Sequence, residues 1–155
     1  MKRLLITLAL VFALIFDNAT AIEFKKVEAL GPGNRIHGMD ISRWQHPYGA
    51  AIDFKKMYDA GVRFVLIKGS DTIDSSDKLA RKYLAADRSA AQTAGIFTGF
   101  YHFATLPDTS KTAILIEDAK AQAQKVVWRL ASLGGYTNQD LPIALDIENN
   151  CVRGT

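Results

Sequence analysis

Disulfides are excluded from this chain, because its 155 residues include one cysteine, Cys151, which has no internal partner. Its place close to the end is unusual for a secreted protein, where a lone thiol is ordinarily paired. Basic clusters interleaved with aromatics are also missing. The 19 Lys and Arg exceed the 16 Asp and Glu only slightly, so nucleic acid is not an expected partner. No internal repeat, low-complexity tract or interdomain linker divides the sequence, and its length fits one domain. Nor is there an apolar run long enough for a membrane span. The longest, Leu4 to Phe16, falls short of the ~20 residues a spanning helix takes.

That short run has a different meaning. Lys2 and Arg3 precede it, and Ala19-Thr20-Ala21 comes after it with small residues at a cleavage spacing. Charge, length and site together read as a secretory signal peptide over residues 1–21. Residues 22–35 form an N-terminal extension, and the folded domain runs from 36 to 155. A secreted product, extracellular or periplasmic, is expected, with no membrane attachment once the leader is cut.

Beyond the leader, strands alternate with helices. RIHGMDIS reads as a strand, and Asp53 caps a short helix, DFKKMYDA, that Gly61 stops. RFVLIKG is a buried strand rich in β-branched and aromatic residues. After the polar SDTIDSSD comes a helix from about Lys78 to Ala94, ended by Gly95. IFTGFYHF is the third strand, a third helix spans about Ala113 to Leu133, and LPIALDIE is the fourth strand. The order β-α-β-α-β-α-β predicts an α/β fold with parallel strands and crossover helices.

Each strand ends in residues that carry chemistry: Asp40, Lys68, Tyr101 with His102, and Asp146 with Glu148. Alternation along the last strand sends Ile143, Leu145 and Ile147 towards a helix layer, and Ala144, Asp146 and Glu148 the other way. A doubly wound sheet would cover both faces with helices and leave those acids buried without reason. A TIM-like (β/α) barrel places them at its open mouth, where function concentrates.

Paired carboxylates suit glycoside hydrolysis, in which one donates a proton and another stabilises positive charge at the sugar. They equally suit a divalent metal, or are simply polar residues where a strand leaves the core. His102 could be a ligand or an acid/base, but a hydrogen-bonded structural histidine is the commoner case. Trp44, beside Tyr48, is expected in an exposed loop, either stacking on a sugar or anchoring that loop. An inward Lys68 needs a carboxylate, and Asp40 or Asp71 could supply it. Trp128 is expected in the core, and the charges on the long helices on solvated faces.

GMDISRWQ, FVLIKGSD, AGIFTGFYHFA and LPIALDIEN, in this order, resemble the glycoside hydrolase family 25 lysozymes. The resemblance runs from about Ile36 to Asn149. It implies an irregular β/α barrel that cleaves the β-1,4 bond of peptidoglycan between N-acetylmuramic acid and N-acetylglucosamine. It implies Glu148 as general acid, Asp146 as its partner carboxylate, Asp40 as a further acid of the site, and Tyr101 as a residue lining it. Trp44, Asp71 and Lys68 are the candidate substrate contacts. No metal or organic cofactor is implied, the partner is the peptidoglycan glycan strand, and a monomer is expected. The chain departs from the family in having His46 where Pro, Gly or Glu is usual, and Asp71-Thr72 where the pattern has Glu-Gly.

A closed eight-stranded barrel takes roughly 250 residues, and about 200 at the low end. With four strands and three helices found, the sequence reads as an incomplete barrel, the N-terminal part of a longer product whose C-terminal strands are missing. By itself it is expected to aggregate through unpaired edges and to be inactive. Two other readings stay open. One is a metal-dependent barrel hydrolase using Asp40, His102, Asp146 and Glu148. The other is a wall-binding remnant that holds glycan with Trp44 and Tyr101 without turning it over. For the leader, N-terminal sequencing of product from a secreting host should begin at or near Ile22; Met1 retained in the membrane fraction would contradict the cleavage.

Overall fold

The computed structural model describes residues 32–148 and 152–153. The expected leader at 1–21, most of the extension and Cys151 lie outside the described residues. Strands β1 (His37–Ile41), β2 (Val62–Asp71), β3 (Phe97–Phe103) and β5 (Ala144–Asp146) form one parallel sheet in that order. A second, two-stranded parallel pair joins β4 (Leu106–Pro107) to β6 (Val152–Arg153). The crossovers are helices α1 (Phe54–Asp59), α2 (Asp74–Thr93) and α3 (Thr112–Ser132). Among the described residues β1 and β5 each have one unpaired edge, so the architecture is an incomplete (β/α) barrel.

Local chemistry sets the helix ends. Asp53 accepts a hydrogen bond from the Lys56 amide at 2.8 Å and caps α1. Gly61 comes just after it at φ 102°, a conformation glycine takes without a Cβ penalty. Helix α2 begins at Asp74, four residues before the sequence suggests. Asp74 and Asp77 occupy its first turn, where the helix dipole favours acids.

The core lies between the sheet's outer face and the helices. Ile41, Val65, Ile67 and Phe100 from the strands pack with Phe54, Leu84, Ala91 and Ile96. Helix α3 adds Leu130 and Leu133 from its sheet-facing stripe. Trp128 is two residues from Leu130, off that stripe. It is 68% exposed and not in the core. In the outward row of the last strand Ile143 does pack against the core, but Leu145 is 63% exposed and Ile147 is exposed too. The helix cover expected over them is absent among the described residues.

The inner face is built in layers by glycine. The Phe64 ring fills the place of a Cβ on Gly38, which would lie 2.1 Å from it. One layer up, a Cβ on Gly99 would meet Leu66 at 2.6 Å. Both contacts pair a large side chain with the glycine beside it in register.

The helix charges are not all solvated. Asp77, Asp87 and Arg88 of α2 are buried, each with a partner. Arg88 forms an ion pair with Asp140 and donates to the carbonyls of Leu133 at 2.9 Å and Gly135 at 2.6 Å. Asp140 also accepts from Thr98 Oγ1 at 2.6 Å and from the Thr137 amide at 2.6 Å. Its backbone bridges Thr98 of β3, and Pro142, which has no N–H, intervenes before regular pairing resumes at Ala144. That break is why the last strand is only three residues long.

Burial alone would raise the Asp140 pKa, but Arg88, Thr98 and Thr137 outweigh it and hold the carboxyl below its usual value. A lowered carboxyl contributes stability above its unfolded value, near pH 4, and loses it as pH falls through the folded value. Asp140→Asn should therefore cost about 3–5 kcal/mol near neutral pH, the range for breaking a buried pair. The gap to wild type should narrow on acidification towards about pH 3. Thermal unfolding followed by circular dichroism across that range checks it, and a gap independent of pH would contradict it.

Candidate active site at the strand ends

Strand alternation and register fix which side chains meet at the inner mouth. Asp40 pairs with Leu66, Lys68 with Tyr101 and Tyr101 with Ala144. Phe103 pairs with both Asp71 and Asp146. Partners in a parallel ladder share a face, so Asp40, Lys68, Asp71, Tyr101 and Asp146 all point inward. Glu148, two residues past Asp146, continues the same row.

Lys68 and Asp71 are three apart, which should put them on opposite faces. The pairing slips between Lys68↔Tyr101 and Ser70↔His102, leaving Gly69 as an extra residue. This bulge turns Ser70 outward and Asp71 inward. Lys68 Nζ then reaches Asp71 Oδ2 at 2.7 Å and sits 4.5 Å from the Phe103 ring centroid. Asp71, the second of the two candidate partners, is the one Lys68 takes.

Tyr101 reports on the carboxylates around it. Its hydroxyl is pushed up to about 12, first by burial and then by the charges of Asp40 and Asp146, with a smaller push from Glu148. A hydrogen bond with Ser42 works the other way. The phenol therefore stays protonated at any physiological pH and feels the charge of all three acids. Asp40 and Glu148 are exposed and Asp146 half-buried.

Ser42 also opens the turn that carries Trp44. Its amide donates to Gln45 Oε1 at 2.7 Å and its hydroxyl accepts from the Trp44 amide at 3.4 Å, a reciprocal cap. Trp44 is 75% exposed, and the Arg43 guanidinium lies 4.4 Å from its ring centroid. Tyr48 beside it is fully exposed, at φ 55°. A small cleft lined by Ser42, Arg43, Trp44, Lys68, Ser76 and Ala80 adjoins the mouth.

His102 is not part of this group. It is 2% exposed on the outer face, with Nε2 2.9 Å from Gln122 Oε1 and Nδ1 2.8 Å from Ser70 Oγ. An amide oxygen only accepts, so Nε2 carries the proton and the Ser70 hydroxyl donates to Nδ1. The ligand set Asp40, His102, Asp146 and Glu148 does not assemble, because His102 faces away from the three acids. His46 is likewise buried, stacked on Tyr83 at 3.8 Å and 2.9 Å from Asp87. Burial pushes the Asp87 carboxyl up, with His46 opposing. Nothing in the sequence announces that pair, which is 41 residues apart.

The chain is 31% identical to "Lysozyme M1" of Streptomyces globisporus over 78% of its length. It is 33% identical to "N,O-diacetylmuramidase" of Arthroderma benhamiae over 73%, and 30% identical to "Uncharacterized protein YegX" of Escherichia coli K12. These alignments cover 36%, 40% and 36% of those relatives, so the chain spans well under half their length. No solved structure matches it. The sequence pattern of glycosyl hydrolases family 25 matches residues 39–155, from the first inward strand through the last acids, and the chain belongs to that family.

Proposed function

We propose that this chain carries the acidic half-site of a secreted muramidase that hydrolyses the β-1,4 bond between N-acetylmuramic acid and N-acetylglucosamine in peptidoglycan. The observation that carries the reading is the strand register that sets Asp40, Tyr101 and Asp146 on one inner face at the mouth, with Glu148 two residues further on. The names of two relatives, a lysozyme and a diacetylmuramidase, support it. Secretion rests on the leader at residues 1–21.

In this mechanism Glu148 donates its proton to the glycosidic oxygen as the C–O bond to the anomeric carbon breaks. Asp146 stabilises the positive charge that develops on the sugar, or holds the substrate's own 2-acetamido group to attack. Water then adds at the anomeric carbon, and its proton returns to Glu148. Tyr101, kept protonated, donates a hydrogen bond to the sugar or to a carboxylate. Trp44 offers an open aromatic face for a sugar ring, and Lys68 with Asp71 binds hydroxyls at the rim. A monomer acting on glycan strands, with no cofactor, completes the proposal.

The exposure of Asp40 and Glu148 favours one rival, glycan binding without turnover. Release of reducing ends from cell walls separates the two. In the hydrolytic reading, Glu148→Gln in a form with the completed barrel should lower turnover by about 10²–10⁴-fold while circular dichroism is unchanged. Retention of more than about a tenth of wild-type turnover would remove Glu148 as the acid. Asp146→Asn should also be impaired, through lost charge stabilisation. A substrate with an activated leaving group needs little protonation, so it should partly rescue Glu148→Gln and not Asp146→Asn. Equal rescue of both would mean the roles are misassigned.

A further inference from the structure

Helix α3 presents three polar side chains, Gln122, Lys125 and Arg129, at a spacing that keeps them on one face. All three reach the segment from Asp71 to Asp77. Arg129 pairs with the buried Asp77 at 2.8 Å. The other Asp77 oxygen accepts from the Asp71 amide at 3.1 Å. Lys125 donates to the Asp71 carbonyl at 3.0 Å and lies 3.4 Å from Asp74. Gln122 accepts from the Thr72 hydroxyl at 2.8 Å, and the Thr72 amide donates to the Phe103 carbonyl at 3.1 Å. The Asp71 carboxylate itself accepts from the Ile73 amide at 2.8 Å, leaving its second oxygen for Lys68.

We infer that Asp77, Arg129 and Lys125 are positioning residues: through the backbone of Asp71 they fix the Asp71 carboxylate, and through it the Lys68 ammonium, at the mouth of the half-barrel. The consequence for substrate binding rests on the muramidase reading; the positioning itself does not. Two observations carry it beyond ordinary packing. Apolar residues of similar size would often serve stability as well as a buried ion pair does, so stability alone does not account for Asp77–Arg129. Its bonds instead end on the one residue that neutralises Lys68. Burial would raise the Asp77 carboxyl, and Arg129 with the Asp71 amide more than offsets that, so Asp77 stays ionised and keeps accepting from both. Lys68 is only about one-fifth exposed and has three N–H donors. With one given to Asp71, the others remain for a hydroxyl or carbonyl at the mouth.

The test compares Asp77→Asn, Arg129→Met and Arg129→Lys with wild type and with Asp140→Asn, which breaks a buried pair elsewhere in the fold. The first readout is acetylation of Lys68 by trace acetic anhydride, measured by mass spectrometry against the exposed Lys55. Loosening Asp71 should raise the relative labelling of Lys68 several-fold in Asp77→Asn and Arg129→Met. Arg129→Lys should restore part of the protection, and Asp140→Asn should leave it unchanged. The second readout is cell-wall hydrolysis, where KM should rise by about tenfold with kcat little changed. Should the first two variants fail to fold, Lys125→Met loses only its loop bonds and takes their place. Unchanged Lys68 labelling in folded Asp77→Asn or Lys125→Met overturns the inference. Labelling that responds as expected while a form with a completed barrel shows no hydrolytic activity upholds the positioning and removes the muramidase reading instead.

Discussion

A β-strand sends successive side chains to opposite faces, and a barrel needs one face apolar against its helices and the other packed inside but open to chemistry at its mouth. Strand β2 meets both demands only because its pairing slips at Gly69. Below the slip, Val65 and Ile67 face the core. Above it, Ser70 faces outward to His102 and Asp71 turns in to Lys68. A Cβ at position 69 would lie 3.2 Å from Phe100, so a small residue suits the slip. Without it, Asp71 would lie among the helices and could not pair with Lys68. The outer hydrogen-bond network and the inner ion pair both arise from the same extra residue.

The helices hold this arrangement with charge as well as apolar packing. Arg88 of α2 ties the segment after α3 to the sheet through Asp140 and two carbonyls. On the opposite side, Arg129 and Lys125 of α3 reach across to α2 and the turn before it. Arg88, Arg129 and His46 each meet a carboxylate, the condition under which buried charges are tolerated, although Arg129 Nη1 has no hydrogen-bond acceptor among the described residues. These ionic contacts join the helices to the strand ends in addition to the apolar packing.

The order of strands and helices is plain in the sequence, because alternation and the stopping glycines are local signals. Gly61, Gly95 and Gly134 all adopt positive φ where a helix ends. The inward row of Asp146 and Glu148 is readable for the same reason. The features that escape depend on three dimensions. Counting by twos cannot detect the Gly69 slip. Asp77, Asp87 and Arg88 look like a solvated helix face until Arg129, His46 and Asp140 arrive from elsewhere in the chain. Trp128 looks like core by composition, yet the stripe that meets the sheet passes it by. His102 is the structural histidine that the sequence favours, though its partners Ser70 and Gln122 are distant along the chain.

The glycine layers under the mouth bear on how this family's sequences can drift. Gly38 is filled by the Phe64 ring and Gly99 by Leu66, so each glycine and its large neighbour occupy one volume between them. Adding a methyl to either glycine overpacks the layer, while trimming the neighbour opens a void. Neither change is tolerated well singly, yet the two together nearly conserve volume. Substitutions at 38 and 64 should therefore be inherited as a linked pair, whereas a methyl at 99 would also press on Leu141 at 3.3 Å. A mutational library that varies one position at a time will score both 38 and 64 as intolerant, although the two can change together.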